Sequence, residues 1–435
     1  MILSPAPIHV EANQTNGMPW PTLKADVVVV GGGIVGLTLA VALSGAGLEV
    51  AVIEAQSFIA VASRDRAYAL SLTSANIFKG LGLWSEIGPA ICHFQQVNLC
   101  DGDYSEVVHF FPEDLGTEAV YYGAEHSILM TALQQAAIAR PNLHYFSSAT
   151  ISSLETDGNG VTGHLTATEG QYRLHTGLIV AADGKGSSLR KSANIQSFGW
   201  QYWQSCITTV VEPEIHHQAR AYERFWPAGP FAILPLPGQR CQIVWTLPHG
   251  EAEAMMQLPE AEFMAQLQRR YGNHMGRLRQ LRAPAAFPVQ MSQCDRYIQP
   301  RLALVGDAAH SCHPVGGQGL NMGIRDAAAL AEVLIAAHQH QEDLGSMGVL
   351  RRYESWRRPE NWVILTFTDL LNRSFSNQIW PVVILRRVGL VFLARLFPLR
   401  RLALQLMTGQ LGRLPQLAIS GQERTRKKPG QKRPG

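Results

Sequence analysis

The sequence predicts a mixed α/β protein: a doubly wound parallel sheet, an inserted antiparallel β-sheet domain and a C-terminal helical region. Three stretches carry that expectation. Consecutive valines in Asp26–Val30 run straight into Gly31-x-Gly33-x-x-Gly36, then a helical stretch to about Gly45, then Val50–Ile53 ending in Glu54. Trp200–Pro248 is rich in β-branched and aromatic residues separated by turn signals. From about Leu350 onward the texture becomes helical and apolar.

The first stretch is a strand without polar alternation, as expected for a sheet covered on both faces. Its glycines permit a tight turn, close approach of backbone to a pyrophosphate, and close helix–strand packing. Glu54 lies where an acid binds ribose hydroxyls. This frame points to a dinucleotide and leaves FAD and NAD both open. Gly158-x-Gly160-x-x-Gly163 matches the same letters, but it lies between the alternating stretches Thr150–Glu155 and Val161–Thr168 with no helix after it. It reads as a hairpin turn, which leaves one fingerprint in the chain.

Leu302–Asp326, LALVGDAAHSCHPVGGQGLNMGIRD, is the second anchor. Leu302–Val305 reads as a buried strand ended by Gly306-Asp307. A loop with Gly316, Gly317 and Gly319 follows, and apolar residues then recur at helical spacing from Leu320 to Ile335. A glycine-rich loop opening a helix offers unpaired N–H groups and a positive dipole end to an anion. Asp307, at a strand's carboxyl end, is placed to accept hydrogen bonds from a ligand hydroxyl.

Between the anchors, Arg64–Ser71 precedes an expected helix, Leu72–Leu81. Arg66 reads either as a ligand-facing cation or as a solvated arginine at a helix start. His93–Tyr122 alternates like short strands, and His126–Arg140 is helical. Leu178–Ala182 is another buried strand closed by Asp183-Gly184, with Ser187, Ser188 and Arg190 after it. A strand ending in Asp-Gly is by itself a common turn. Phe225, Trp226, Phe231 and Trp245 are either the lining of an apolar chamber or plain core. Glu251–Leu281 is expected to be helical. In the last region Arg386, Arg387 and Arg395 interrupt the apolar runs well short of the roughly 18 residues a membrane span needs. A helical cover over the first domain is the expectation there, with a surface-docking helix as the alternative.

The 435 residues suffice for two or three domains, and 46% hydrophobic with 16% charged residues suits a globular enzyme. The net charge of +3 is local: Glu423–Gly435 holds six basic residues and one acidic, so the body carries −2. That balance argues against a nucleic-acid partner. Cys92, Cys100, Cys206, Cys241, Cys294 and Cys312 are scattered without a CxxC, as expected for reduced thiols of a cytoplasmic protein. His310, Cys312 and His313 have no distant partner pair, so no metal site is expected. The first 23 residues lack the basic start and apolar core of a signal peptide.

Together GDAAH, Pro314 and GQGxNxGxxD resemble the flavin signature of single-component aromatic hydroxylases with the para-hydroxybenzoate hydroxylase fold, and within them the ubiquinone-biosynthesis hydroxylases. Asp183-Gly184 with Ser187, Ser188 and Arg190 is similar to that family's second element, ADGxxSxxR, and Arg66 to its arginine before Ala-Leu-Ser. The resemblance covers about Lys24 to Phe397. It implies a glutathione-reductase-like FAD domain in three pieces (24–92, 125–195 and 291–350) and a substrate domain in two (93–124 and 196–290). A helical region follows at 351–420, with a disordered leader at 1–23 and a basic disordered tail at 421–435. It implies non-covalent FAD, transient NADH or NADPH, and ring hydroxylation of a prenylated phenol by O₂ through a flavin C4a-hydroperoxide. Gly31, Gly33 and Gly36 would hold the pyrophosphate, Glu54 the AMP ribose, and Asp307 the ribityl chain. Arg66 and Asp183 would lie beside the flavin, and Pro314, Gly316, Gly317, Gly319 and Asn321 against its ring. The family also implies peripheral membrane contact and assembly with other quinone-biosynthesis enzymes. An epoxidase or reductase of isoprenoids, or a lipid-binding protein without flavin, are the alternatives on the same fold. The sequence singles out no catalytic base.

Overall fold

Four successive valines leave the end of the strand Thr22–Val30 no wet face: Val27, Val28 and Val29 are fully buried. The computed structural model, which describes residues 20–426 except 103, 105 and 106, places this strand at the centre of a parallel sheet. Val50–Ile53 and then Leu143–Phe146 lie on one side, Gly170–Ala181 and then Leu302–Leu304 on the other. Ile298–Gln299 adds an antiparallel edge. The hairpin Thr150–Thr156/Val161–Ala167 extends Gly170–Ala181 antiparallel, and Asp157 takes the Asn159 and Gly160 N–H groups in its turn at 2.7 and 2.8 Å. The second glycine triplet is therefore a hairpin.

Helices Ile34–Ser44 and Gln318–Gln339 cross at Gly323, where a Cβ would lie 2.7 Å from Val35 Cγ2. Both helices are largely buried, which fixes the two glycine-rich loops that open them at one edge of the sheet.

The second sheet runs His310–Ser311, Ala285–Cys294, Ser197–Pro213, Cys241–Pro248, Gly229–Pro235, Arg220–Trp226, Gln96–Asp101 and Val107–Phe110. It is antiparallel except where Arg220–Trp226 meets Gln96–Asp101 in parallel, joining the two inserted segments. One face packs Phe231, Ile243 and Trp245 under the helices His249–Met256 and Glu260–Tyr271. The expected helix Glu251–Leu281 is thus two helices and a strand. Pro259 disfavours helix at Leu258, Gly272 at φ +91° ends the second helix, and Leu278–Gln280 pairs with Val211–Pro213. Of the four aromatics considered as chamber lining, Trp226, Phe231 and Trp245 belong to this outer core. Only Phe225 faces the other way, with Ala221, Tyr121, Val315 and Phe375.

The C-terminal helices divide between the two domains. Trp380–Arg395 and Phe397–Met407 send Leu390 and Leu404 onto Val108 and Phe110, so they cover the second sheet rather than the first domain. The reason is electrostatic as well as apolar. Asp101 and Asp114 are 2% and 5% exposed, and a buried carboxylate requires a paired cation. Arg386 and Arg387 serve Asp101, and Arg400 serves Asp114 at 2.8 Å. Gln416–Arg426 instead packs on Leu72–Gly80 through Gly80 and Gly421, whose Cβ atoms would collide with backbone oxygens at 2.1 and 2.0 Å. Residues 421–426 of the expected tail are therefore helix, and Arg424 donates to Lys79 O. Thr22 and Leu23, expected in the leader, begin the first strand. Residues 1–19 and 427–435 lie outside the described residues.

Under the Gly306 turn, fully buried Asp326 takes four hydrogen bonds. Its donors are Arg357 Nε and Asn361 Nδ2 at 2.9 Å each, His310 Nε2 at 2.5 Å and Gly306 N–H at 3.2 Å. Burial raises its carboxyl, but attraction to His310 and Arg357 and the hydrogen bonds outweigh that and hold it well below the usual carboxylate range. Asp326→Asn should cost about 3–5 kcal/mol at neutral pH, because buried Arg357 is left with only the part-exposed Glu360 as anion and His310 loses its partner. A depressed carboxyl contributes above its unfolded value near about 4 and loses that contribution as pH falls through the folded value. Urea denaturation should therefore show the wild-type advantage at pH 7 shrinking in acid below about 4. An Asn variant as stable as wild type at pH 7 contradicts the assignment.

Candidate active site

The first loop is shaped by what its glycines touch. A Cβ at Gly31 (φ +109°) would lie 2.3 Å from Ala182 O, and one at Gly36 2.0 Å from Gly31 O. Gly33 differs: a Cβ there would meet nothing within 4 Å. It is the N-cap of Ile34–Ser44 and provides no side-chain cap, so first-turn N–H groups face open space. Glu54, 7% exposed, uses one oxygen on Gly32 N–H and the other on Gln56 N–H, both at 2.8 Å. It fixes the loop and keeps lone pairs for a further donor.

Asp183 accepts Ser188 N–H through Oδ2 at 2.9 Å, while its Oδ1 is buried with no partner. Arg190 reaches across to Ala308 O at 2.8 Å and joins this turn to Gly306–Ala308. Asp307 follows, crowded enough by protein that burial raises its carboxyl against the pull of His310, Arg66 and Lys185. Its side chain is nevertheless exposed. The exposure is the better guide to its role, because a crowded carboxylate with an open face is one a ligand reaches. Arg66 is exposed and close enough to act on Asp307, so the structure brings these two predicted residues together.

The second loop turns at Pro314 into a short 3₁₀ segment, with Gly316 at φ +68° and Gly317 at φ +62°. Both angles are left-handed, where glycine is unstrained. A Cβ at Gly316 would also lie 2.4 Å from Met407 Cε. Gly317 caps Gln318–Gln339 without a side-chain bond, so a second uncapped N-terminus faces the cleft. Gly319 has ordinary room, its nearest foreign atom being Cys312 Sγ at 3.7 Å. Asn321 is the one predicted site residue with no atom left for a ligand. Its Oδ1 takes Ser71 N–H and Ser74 Oγ–H, and its Nδ2 donates to Ala69 O and Gly317 O. It clamps the second loop to the Arg64–Ser71 segment, a positioning role.

Tyr121 and Glu223 meet this loop from distant parts of the chain, and Gln318 closes it from within. Tyr121 Oη donates to Met407 O at 2.5 Å. Gln318 Nε2 donates to Met407 O at 2.9 Å and Gly316 O at 3.1 Å. Glu223, between Ala221 and Phe225 on Arg220–Trp226, accepts Gly316 N–H, and burial pushes its carboxyl up to about 8. No local motif marks Tyr121 or Glu223; the fold alone assembles them.

Because the space at Gly33 is empty of protein, Gly33→Val should fold and lose cofactor. A branched side chain would occupy the place of a pyrophosphate. At Gly160 a Cβ would come 2.9 Å from Thr176 O, so Gly160→Val should lower the melting temperature and keep cofactor. Flavin absorbance and thermal melting of the two purified variants check this, and equal flavin loss in both, each still folded, would overturn it.

Two uncapped helix ends, the open space at Gly33, the unpaired Asp183 Oδ1 and the exposed Asp307 suit a ligand that is both phosphorylated and hydroxylated, as FAD is. An FAD binding domain family model matches residues 24–368. The chain is 48% identical to the uncharacterized protein slr1300 of Synechocystis sp. over 90% of this chain and 95% of that protein. It is 38% identical to the ubiquinone hydroxylase UbiL of Rhodospirillum rubrum over 89% and 90%. The crystal structure of p-nitrophenol 4-monooxygenase PnpA from Pseudomonas putida superposes with a TM-score of 0.76 at 23% identity, covering 90% of this chain and 99% of that one, a likeness of fold. The chain belongs to the FAD-dependent aromatic hydroxylases of ubiquinone biosynthesis.

Proposed function

We propose that this chain hydroxylates the ring of a prenylated phenol, using O₂ and electrons from NADH or NADPH. The observation that carries the reading is the contact between the second loop and the substrate sheet. Val315 packs with Ala221 and Phe225 of the sheet, so a ring held on that face lies against the loop. FAD, when bound and reduced, supplies the activation of oxygen. The protein's part is to bind, orient and exclude water. Gly31, Gly33 and Gly36 leave room for the pyrophosphate at the first helix end. Glu54 and Asp307 offer carboxylate oxygens to the two sugar-like ends, and Asp183 and Arg66 flank the middle. Pro314, Gly316, Gly317 and Gly319 lie where the flavin ring belongs, with the Gln318–Gln339 N-terminus stabilising negative charge. With one dinucleotide fingerprint in the chain, the nicotinamide cofactor binds transiently.

The same reading extends to a membrane surface. Trp380 and Leu385 are each 73% exposed, and Ile384, Phe392, Leu396, Phe397 and Leu402 are exposed around them. Residues 376–411 contain five arginines and no acidic residue. No single described helix is long and apolar enough to cross a bilayer, and Met347–Phe375 and Trp380–Arg395 bend by 118°. An apolar face flanked by exposed Arg395 and Arg401 suits the interface of an anionic bilayer, from which a prenyl chain is drawn.

Hydroxylation should depend on the prenyl chain. Each buried CH₂ contributes about 0.8 kcal/mol, so KM should fall steeply over the first isoprene units. NAD(P)H oxidation should couple to product rather than to hydrogen peroxide. A bare phenol turned over as efficiently and with equal coupling would replace this substrate by a soluble one.

Leu385→Asp with Phe392→Asp should weaken co-flotation with vesicles containing anionic phospholipid by at least about tenfold, since each such side chain contributes about 1.5–3 kcal/mol on burial. Undiminished flotation would remove the helices from the membrane contact.

A further inference from the structure

The inner face of the second sheet carries, besides the arginine-paired Asp101, an acid without an ion pair among the described residues. Ala221, Glu223 and Phe225 alternate onto the same side of Arg220–Trp226, in line with a strand's two-residue period. Ala221 and Phe225 belong to the cluster with Tyr121, Val315, Phe375 and Leu404. Glu223 pairs in register with Ala232 on one side and Leu99 on the other, so the strand on which it sits is held by neighbours on both edges. Its carboxyl accepts Gly316 N–H, from the loop that lies against the flavin position.

Two features separate Glu223 from an ordinary structural acid. It forms no ion pair among the described residues, unlike buried Asp101, Asp114 and Asp326, each of which is served by arginine. It is also only half-buried although protein surrounds it closely, so part of the carboxyl opens onto the space between sheet and loop. The titratable groups that feel its charge are Tyr121, from the segment before Tyr122–Glu125, and Cys206, from Ser197–Pro213. Burial holds both of these in their neutral forms and supplies no charge to stabilise a carboxylate.

Resting on the hydroxylase reading above, we propose that Glu223 is the catalytic base that takes the phenolic proton of the bound substrate and so fixes the orientation of its ring against the Gly316 loop. In this step the substrate O–H bond breaks, the proton passes to a Glu223 carboxylate oxygen, and the electron pair stays on the phenolate oxygen. Nothing is oxidised or reduced, and the proton leaves to solvent when product departs. A phenolate ring is more electron-rich than a phenol and more open to attack by an electrophilic oxygen. Burial brings the carboxyl to about 8, toward a phenol's own value near about 10, which brings the transfer closer to balance.

The test is Glu223→Gln, which is isosteric, keeps an acceptor for Gly316 N–H and places no charge in the chamber. The variant should fold and retain FAD, with kcat for the prenylated phenol lowered about a hundredfold or more and KM changed much less. Wild-type kcat should rise with pH through an apparent value near about 8, and the variant should lose that limb and follow the phenol's own ionisation near about 10 instead. Glu223→Asp should restore part of the limb. The ultraviolet spectrum of the bound phenol gives a readout independent of turnover: beside the Glu223 carboxylate its ionisation should lie at higher pH than on the uncharged variant. If Glu223→Gln keeps both the pH limb and the wild-type ionisation of the bound phenol, the residue only holds the loop and the proposal is overturned. If the bound phenol's ionisation answers to Glu223 but wild type makes no hydroxylated product, the hydroxylase reading fails while the base assignment stands.

Discussion

The whole architecture leans on Asp326. One buried carboxylate receives the Gly306 N–H at the end of a parallel strand, the imidazole of His310 after the turn, and Arg357 and Asn361 from the C-terminal helix. Those groups come from three separate elements, and both anchors of the cofactor cleft are downstream of their arrangement. Arg357 is 1% exposed and continues to Asn361 Oδ1 at 2.7 Å and Glu360 at 2.5 Å. A buried charge that lost one of these partners would be uncompensated, which makes the network close to all-or-none. The long helix Met347–Phe375 is thereby locked to the first domain while its far end, at Phe375, reaches the second sheet.

The same electrostatic logic explains the placement of the last helices. Arginines that break an apolar run look, in sequence, like the solvated side of a surface helix. Here Arg386 and Arg400 turn inward to Asp101 and Asp114, while Phe392, Leu396 and Phe397 between them turn outward. Local periodicity cannot anticipate that inversion, because the partner carboxylates lie nearly three hundred positions earlier, on the first inserted segment.

What was legible follows the range of the interactions involved. The glycine spacing at Gly31–Gly36, the valine strand and Glu54 act over a few tens of residues, and each is where its local pattern places it. The hairpin at Gly158–Gly163 was separable from the fingerprint because Asp157 and two alternating flanks are local signals. Asn321 shows the limit: it belongs to a recognisable motif, but its side chain serves Ala69, Ser71 and Ser74 rather than a ligand. Glu223, Tyr121 and Met407 carry no signal at all, since nothing near them in sequence resembles a site. The end of the helix Gln416–Arg426 reads in sequence as part of a basic tail, whereas its contact with Leu72–Gly80 depends on Gly80 and Gly421, some 340 positions apart. Burial of one sheet face by helices His249–Met256 and Glu260–Tyr271 likewise decided which aromatics point away from the chamber.

The central claim is that the cleft between the Gln318–Gln339 N-terminus and the inner face of the second sheet performs oxygen insertion into a prenylated phenol. Labelled dioxygen tests it most directly. The holoenzyme, given NAD(P)H and a short-chain prenylated phenol under isotopically labelled O₂, should place one labelled oxygen atom in the product ring and consume one reductant for each product. Label arriving from water, or reductant consumed with all of the labelled oxygen recovered as hydrogen peroxide, would contradict the account.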